Sequence, residues 1–170
     1  RALSLPSMST LLLLRKTVPK FLQSLMRFMN LKEQRAYQIL EILEKAGYPA
    51  MIVGGAVRDS VMGIVPKDFD IATVAIPEEV TNLFAEHCKV VASGIRFGTV
   101  TLVWGGHPYE VTTLREDFAC DGRHADVVFG NDFKVDAQRR DFTVNALYRD
   151  RRGKLHDFFN GQRDIKAKHL

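Results

Sequence analysis

Apolar residues recur at every third or fourth position across residues 31–43, and this spacing predicts an amphipathic helix that ends at Gly47. The apolar run of residues 50–53 predicts a buried strand, because it is short and leads directly into two glycines. The first half of the pattern predicts a helix over 31–47, a strand over 50–53, a short helix over 56–63, a strand over 69–73 and a helix from Pro77 to about His87.

A β-hairpin is the clearest signal in the second half of the chain. Residues 98–104 and 109–114 are rich in Thr and Val, and a Gly-Gly-His-Pro turn separates them. The polar residues 116–132 have no periodicity and predict a long loop. A helix over 135–144 and strands over 146–149 and 155–159 complete the pattern. Helices and strands therefore mix along the chain, which predicts an α/β (α+β) fold.

The composition is that of an ordinary globular protein, with 46% hydrophobic and 26% charged residues. Residues 1–30 hold five of the 24 basic residues and none of the 20 acidic ones. The remaining residues therefore have a net charge of −1, so any affinity for phosphate must come from local placement or from a metal. The sequence thus divides into a basic N-terminal extension, residues 1–30, and one domain, residues 31–170.

The N-terminal extension permits two interpretations. It is either a helical segment or a targeting segment, because a basic, acid-free, Leu-rich stretch resembles a mitochondrial transit peptide. Its longest apolar run, residues 11–14, is far too short for a membrane span, so no membrane partner is expected. Two isolated cysteines, Cys88 and Cys120, favour a reducing compartment. The bacterial cytoplasm is therefore expected, or the mitochondrion if the extension is a transit peptide.

Asp68 and Asp70 are the first candidates for chemistry. Residues two apart on a strand point to the same face, so both carboxylates would project together. Two hard oxygen ligands, with room for water and phosphate oxygens, suit Mg²⁺ in a phosphoryl-transfer site. An Asp-x-Asp pair also arises by chance on solvated strand edges, so the neighbouring sequence has to decide between the two readings.

Gly54 and Gly55 lie between a predicted strand and a predicted helix. Glycines at such a turn let backbone N–H groups approach a phosphate, and a helix N-terminus favours negative charge. Arg58, about one turn later, can form a forked contact to a phosphate. The alternative is an ordinary turn with Arg58 on the surface. The spacing matches neither a Walker loop nor a Gly-x-Gly-x-x-Gly fingerprint.

Residues 139–146, Arg-Arg-Asp-Phe-Thr-Val-Asn-Ala, form the third candidate element. Arg139 and Arg140 supply cationic donors for a triphosphate or an RNA backbone. Asp141 and Asn145, four residues apart, would share a helix face and could contact a ribose hydroxyl. The alternative is a capped helix in which both arginines are solvated.

Three segments together resemble the superfamily of class II tRNA nucleotidyltransferases and bacterial poly(A) polymerases. Residues 52–59 (Ile-Val-Gly-Gly-Ala-Val-Arg-Asp) and 66–73 (Pro-Lys-Asp-Phe-Asp-Ile-Ala-Thr) resemble its first motif, and residues 139–147 resemble its second. Residues 110–115, Glu-Val-Thr-Thr-Leu-Arg, lie between them. The resemblance spans about residues 47–170. It implies a polymerase-β-like nucleotidyltransferase head with a mixed, mainly antiparallel sheet flanked by helices.

The resemblance also implies a role for each candidate residue. Asp68 and Asp70 would bind two Mg²⁺ ions for nucleotidyl transfer to an RNA 3′-hydroxyl, and Glu110 is a candidate third catalytic acid. The nucleotide-binding residues that it implies are Gly54, Gly55, Arg58, Arg115, Arg139, Arg140, Asp141 and Asn145. The last three would hold the ribose. The substrates would be CTP and ATP.

Within the superfamily, the CCA-adding enzymes, which add CMP and AMP to tRNA 3′ ends, are the expected branch. The segments that resemble this branch are residues 98–101, 114–117 and 121–125. Residues 46–48 and 136–140 occur in poly(A) polymerases too, so a poly(A) polymerase is the alternative enzyme. A non-catalytic nucleotide-binding fragment is the alternative from another class.

The family's neck domain carries a Glu-Asp-x-x-Arg helix that reads the base of the incoming nucleotide. This motif does not occur in the 170 residues, and the body and tail regions that grip tRNA have no counterpart either. We therefore expect base selection and most tRNA binding to depend on regions outside this sequence. In the CCA-adding interpretation, residues 116–132 are the flexible loop that helps to switch the pocket from C to A addition.

Overall fold

The computed structural model describes residues 30–116 and 128–168 of the chain. The predicted N-terminal extension and most of the predicted loop lie outside these residues. The α-helices are Leu31–Lys45 (α1), Gly55–Val61 (α2), Pro77–Phe84 (α3), Phe133–Gln138 (α4) and Gly161–Ala167 (α5). The strands are Ala50–Val53 (β1), Asp70–Thr73 (β2), Lys89–Gly94 (β3), Thr99–Trp104 (β4), His107–Thr113 (β5), Arg115–Glu116 (β6), Val128–Phe129 (β7), Leu147–Arg149 (β8) and Leu155–Asp157 (β9).

Seven strands form one sheet in the order β3-β4-β5-β2-β1-β8-β9, and β6 pairs with β7 in a separate two-stranded ladder. Neighbours in the large sheet are antiparallel except for β2 and β5, which run parallel. This mixed, mainly antiparallel sheet flanked by helices confirms the predicted fold class. In the described part of the chain, every helix is too short or too polar to cross a membrane.

Helix α1 packs against one face of the sheet because its apolar residues recur at helical spacing. Asn30 begins the helix by accepting a hydrogen bond from the Glu33 backbone N–H at 2.9 Å. The residues of α1 that are fully buried in the main core are Ala36, Ile39, Leu40 and Leu43. Leu31, at the start of the helix, is by contrast 58% exposed. The predicted helix is therefore confirmed, while Leu31, one of the apolar residues at helical spacing, is not buried.

The opposite face of the sheet is covered less completely. Successive residues of a strand point to opposite faces, so Ile71 joins the main core while Asp70 and Ala72 point away from it. Ala72 packs in a second, smaller cluster with Ala137 of α4 and Tyr148 of β8. The candidate functional residues lie on this second face.

The hairpin between β4 and β5 turns on two glycines rather than on the four residues that the sequence suggests. Gly105 and Gly106 have φ values of 58° and 80°, which a two-residue type I′ turn requires. Strand β5 therefore begins at His107, directly after the turn.

The predicted helix over residues 135–144 is wrong in its extent. Helix α4 ends at Gln138, and a 3₁₀ turn covers Thr143–Asn145. Between them, Phe142 is extended (φ −130°, ψ 139°), and its N–H donates to the side chain of Asp141 at 3.0 Å. A short polar side chain that binds the backbone in this way competes with helix continuation.

Three strands, β3, β6 and β7, were not predicted from the sequence. Strand β3 carries an irregular register against β4, so its residues do not show a simple alternation of apolar and polar positions. Strand β7 lies within the predicted loop and pairs with β6, with Arg115 opposite Phe129. The predicted loop therefore begins and ends in a short ladder.

Candidate active site

The acidic candidates meet where β2 and β5 run side by side. Asp70, the first residue of β2, is the register partner of Glu110 in the parallel strand β5. Both residues are exposed, and they lie on the face of the sheet that points away from α1. The parallel pairing thus makes neighbours of two carboxylates that are far apart in the sequence.

Asp68 reaches this region by a different route from the one that the sequence predicts. It precedes β2, so strand alternation does not set its direction. The intervening Phe69 is 3% exposed and anchors the chain in the core, which leaves Asp68 and Asp70 both exposed. The Nζ of Lys32 in α1 donates to the carbonyl oxygen of Lys67 at 3.0 Å and supports the same segment.

Burial raises the pKa of Asp70 above its usual range, and the charge of Glu110 raises it further. Asp68 contributes in the same direction, whereas the guanidinium of Arg140 opposes the shift. Asp70 keeps contact with solvent, yet the surrounding protein and the two neighbouring acids disfavour its charged form. A cation bound here would relieve this repulsion.

The donor set fits Mg²⁺ that is shared with a phosphate. Mg²⁺ prefers hard oxygen ligands and commonly takes one or two carboxylates, while water and substrate phosphates complete its shell. Asp68 and Asp70 supply such ligands, with Glu110 beside them. Within residues 30–116 and 128–168, no group of three or more His, Cys, Asp or Glu residues could enclose a metal ion.

Gly54 occupies a backbone conformation that favours glycine, with φ 75° and ψ −135°. A Cβ at this position would lie 3.7 Å from Arg140 Nη1, 3.9 Å from Asp70 Oδ2 and 3.9 Å from the Asn145 carbonyl oxygen. The turn therefore sits among several of the candidate residues.

The two glycines of this turn have different hydrogen-bonding positions. The Gly54 N–H donates to the carbonyl oxygen of Leu147 at 3.1 Å, so it serves the sheet rather than a phosphate. Gly55 is the first residue of α2, where an N–H has no acceptor within its own helix. Of the two predicted phosphate donors, only Gly55 has the position for that role.

Arg58 faces the candidate site rather than lying free on the surface. Its Nη1 donates to Asn145 Oδ1 at 2.8 Å. Its Nε and Nη2 both bind Asp59 Oδ1, at 3.0 and 2.8 Å. The forked contact that the sequence suggested for a phosphate is therefore made to a carboxylate within the protein, and a phosphate would have to share or replace it.

Asp141 and Asn145 do not share a helix face, because the predicted helix ends before them. Asp141 is exposed, and one of its carboxylate oxygens accepts from the Phe142 N–H. Asn145 lies in the 3₁₀ turn and contacts Arg58. The structure thus joins Asn145 to the glycine turn by a hydrogen bond and places Asp141 on the segment that leads to it.

Arg139 and Arg140 are both bound to Asp136 and are not solvated. Arg139 Nη2 lies 2.6 Å from Asp136 Oδ1, and Arg140 Nη2 lies 3.2 Å from Asp136 Oδ2. The two arginine side chains are 18% and 22% exposed. Arg140 also donates from Nε to the Tyr148 hydroxyl at 3.0 Å. Arg140 therefore extends toward Gly54, while Nε and Nη2 of Arg139 both donate to Asp136.

Sequence reasoning gave no role to Asp136 or Tyr148. The Tyr148 hydroxyl donates to Asp136 Oδ2 at 2.7 Å, and the backbone N–H of Arg115 donates to Asp136 Oδ1 at 3.3 Å. Arg115 is thus connected to the site through Asp136. An acid three and four residues before two arginines was a possible signal, since such side chains meet on a helix.

The chain matches the family model described as the poly A polymerase head domain over residues 50–170. A CCA-adding enzyme of Lactobacillus helveticus (strain DPC 4571) is 46% identical over 134 residues, which cover 78% of this chain and 33% of the relative. The mitochondrial CCA tRNA nucleotidyltransferase 1 of Danio rerio is 42% identical over 130 residues, which cover 75% of this chain and 30% of the relative. The chain therefore spans about a third of the length of these relatives.

Solved structures with the same fold include nucleotide complexes. The CCA-adding enzyme of Bacillus stearothermophilus in complex with CTP has a TM-score of 0.71 and 40% identity, and the match covers 81% of this chain and 32% of that one. A tRNA nucleotidyltransferase complexed with a primer tRNA and an incoming ATP analog has a TM-score of 0.60 and 32% identity, with 76% and 37% covered. The fold, both sequence motifs and these similarities agree, and the chain belongs to the family of the poly A polymerase head domain.

Proposed function

We propose that this chain is the catalytic head of a template-independent RNA nucleotidyltransferase that adds CMP and AMP to tRNA 3′ ends. The observation that carries the proposal is the pairing of Asp70 with Glu110 beside Asp68, where the interior strands β2 and β5 run side by side and Gly54 and Arg140 lie close by. Carboxylates that repel one another, with the guanidinium of Arg140 near them, suit a metal-bound triphosphate. CCA-adding relatives at 46% and 42% identity support this choice of reaction.

In this proposal, Asp68 and Asp70 bind Mg²⁺, which when bound would supply positive charge that stabilises the reacting phosphates. Two ions are expected from the family resemblance. Glu110 adds negative charge beside Asp70 and so strengthens the attraction of a cation to the two aspartates. With Mg²⁺ bound, Asp68 and Asp70 would keep positive charge beside the reacting phosphates of CTP or ATP, which the carboxylates alone would repel.

The remaining candidates would bind the nucleotide. Gly55 offers its backbone N–H at the start of α2, and Gly54 keeps the turn free of side-chain atoms. Arg58 and Arg140 bring positive charge to the triphosphate. The residues proposed for the ribose are Arg140, Asp141 and Asn145. Arg115 and Arg139 complete the proposed set, and both are linked to the site through Asp136.

Base selection and tRNA affinity are proposed to depend on the rest of the protein, because the described residues contain no motif assigned to those tasks. The predicted compartments are the bacterial cytoplasm and the mitochondrion, and relatives include both bacterial enzymes and enzymes named mitochondrial. A poly(A) polymerase is the second candidate function, since the matching family model is described by that activity.

Incubating the full-length protein with tRNA that lacks its 3′ end, and with each nucleoside triphosphate separately, tests the proposal. We expect incorporation from CTP alone, incorporation from ATP only on tRNA that already carries the C residues, and none from GTP or UTP. Extension of a generic RNA with ATP alone would indicate a poly(A) polymerase instead. Absence of incorporation with every nucleotide would overturn both and favour a nucleotide-binding module.

Substitution of the two aspartates tests the site itself. Asp68→Ala and Asp70→Ala are each expected to lower the rate of nucleotide addition by roughly 100-fold or more, because even residues that only support metal ligands are worth about 10- to 100-fold. Asp150→Asn is the control, since Asp150 binds His156 and backbone N–H groups in the β8–β9 turn. Full activity in either alanine variant would contradict the metal assignment.

A further inference from the structure

Asp136 is a buried acid that the proposed reaction does not use directly. The residue is 1% exposed and lies on α4, beneath the candidate site. Its carboxylate accepts hydrogen bonds from the Tyr148 hydroxyl, from both Nε and Nη2 of Arg139, and from Nη2 of Arg140, at distances between 2.6 and 3.2 Å. Buried charges of this kind persist only when they are paired.

The carboxylate connects segments that are separate in the sequence. It binds two arginine side chains from the segment directly after α4, the Tyr148 hydroxyl from β8, and the Arg115 backbone N–H from β6. Two guanidinium groups share one carboxylate, so the cluster keeps a net positive charge. Arg140 is the member of the cluster whose side chain extends toward Gly54.

The guanidinium of Arg140 is held by hydrogen bonds from two of its nitrogens and by contact of the group with an aromatic ring. Nε donates to the Tyr148 hydroxyl, Nη2 donates to Asp136, and Cζ lies 5.4 Å from the centre of the Tyr148 ring. The ring itself is held edge-on by Phe133 and Phe158, at centroid distances of 5.8 and 5.9 Å. The guanidinium therefore has little freedom to turn.

The third nitrogen of Arg140, Nη1, is the one that faces the candidate site. It would lie 3.7 Å from a Cβ placed on Gly54, and Asp70 Oδ2 would lie 3.9 Å from the same point. The cluster thus binds two nitrogens of the guanidinium and directs the third toward Gly54 and the carboxylate of Asp70.

Asp136 remains charged in this setting. Burial alone would raise its pKa, but the hydrogen bonds from Tyr148 and Arg139 hold the pKa below its usual value. Burial raises the pKa of the Tyr148 hydroxyl, which therefore keeps its proton and serves as a donor. The cluster therefore joins a charged carboxylate to hydrogen-bond donors.

We propose that Asp136 is a positioning residue for nucleotide binding, which acts by holding Arg140 with Nη1 directed toward the Gly54 turn. This inference rests on the proposed function, which assigns Arg140 to the nucleotide. In this arrangement, Asp136 itself contacts neither the nucleotide nor the candidate metal ligands Asp68 and Asp70. Its effect on binding must therefore pass through Arg140.

A double-mutant cycle on the full-length protein tests this dependence, with the dissociation constant for ATP as the measurement. Asp136→Asn is expected to weaken ATP binding about ten-fold, the size expected for the loss of one hydrogen bond to a charged group. In an Arg140→Gln background the same substitution is expected to change ATP binding less than about two-fold. Asp150→Asn, which also removes one hydrogen-bonded carboxylate, is the matched control and should bind ATP like the wild type.

Tyr148→Phe gives a second cycle in case Asp136→Asn does not fold. It keeps the ring and the buried carboxylate and removes only the hydroxyl that joins Asp136 to Arg140. An approximately three-fold weakening of ATP binding is expected with Arg140 present and none without it. Equal weakening in both backgrounds, in either cycle, would overturn the inference, and so would unchanged ATP binding in all variants.

The outcome is separable from that of the proposed function. Addition of nucleotides to tRNA by the wild-type protein decides the proposed function, whereas the inference is decided by ATP affinity alone. If Arg140→Gln leaves ATP binding unchanged, the assignment of Arg140 and the role of Asp136 both fail, even when tRNA is extended normally.

Discussion

Replacing Gly54 by alanine separates backbone strain from crowding at the turn before α2. The φ of 75° and ψ of −135° lie in a region that residues with a side chain rarely adopt. A Cβ would meet Arg140 Nη1 at 3.7 Å and Asp70 Oδ2 at 3.9 Å, which are ordinary contacts. Space is therefore available, and the penalty comes from the backbone. Residues forced into such regions are destabilised by about 1–3 kcal/mol.

Gly55 offers the same chemical change without the strain. It begins α2, and its φ is not positive. A Cβ there would lie 3.6 Å from Arg58 Nη2, again an ordinary contact. Alanine is the better helix former by up to about 1 kcal/mol, so Gly55→Ala should unfold at the same urea concentration as the wild type or slightly above it. Its effect should instead be on ATP binding, because the new methyl group would stand beside the proposed phosphate position.

Urea unfolding measures the difference in stability between the Gly54→Ala and Gly55→Ala variants. It can be followed by the fluorescence of Trp104, the single tryptophan of the sequence. Trp104 packs against Phe84 and His87 and so reports on the main core. We expect Gly54→Ala to lower the free energy of unfolding by about 2 kcal/mol and Gly55→Ala to leave it within about 1 kcal/mol. Equal stability of Gly54→Ala and wild type would refute the strain argument. An equal loss in both variants would show that crowding, not strain, governs the turn.

Three further predictions concern stability. The pKa of Asp136 is lowered in the folded protein, so its charged carboxylate stabilises the fold above about pH 4, and this stabilisation is lost as the pH falls through the lowered pKa. In urea titrations, the difference in unfolding free energy between wild type and Asp136→Asn should therefore narrow below about pH 4. Gly161→Ala should lower the free energy of unfolding by about 1–3 kcal/mol in the same assay, because the new Cβ would overlap the Thr143 carbonyl oxygen. An unchanged free energy of unfolding would contradict the packing of α5 on the 3₁₀ turn. Leu40→Ala should cost about 2–5 kcal/mol because Leu40 is 0% exposed, whereas Leu31→Ala should stay within about 0.5 kcal/mol in thermal unfolding.

The sequence predicts those parts of the site that depend on local patterns. Gly54 follows a short apolar strand, and Asp70 lies beside the buried Phe69, so both positions are recognisable from neighbouring residues. The closeness of Glu110 to Asp70 does not follow from a local pattern, because it depends on which strands pair. That pairing follows from contacts between distant segments, which a local pattern does not specify.

The arginine pair shows why the remainder could not be predicted. An acid followed by Arg139 and Arg140 at helical spacing is usually an exposed ion pair. Here Asp136 is buried and binds the Tyr148 hydroxyl from β8, and the helix ends two residues after it. Sequence reasoning left the arginines either solvated or bound to substrate. The structure instead binds both to one acid and leaves Arg140 directed toward the site.

The parallel pairing of β2 with β5 also bears on how the chain folds. Strands β1 and β2 pair with each other, as do β4 and β5, so each pair joins segments that are closer in sequence than β2 and β5 are. Asp70 and Glu110 become neighbours only when the two pairs join, and like charges side by side on adjacent strands oppose that step. Joining the two pairs is therefore the step at which the acidic site forms, and we expect Mg²⁺ to stabilise the joined sheet and so to raise the urea concentration at which the protein unfolds.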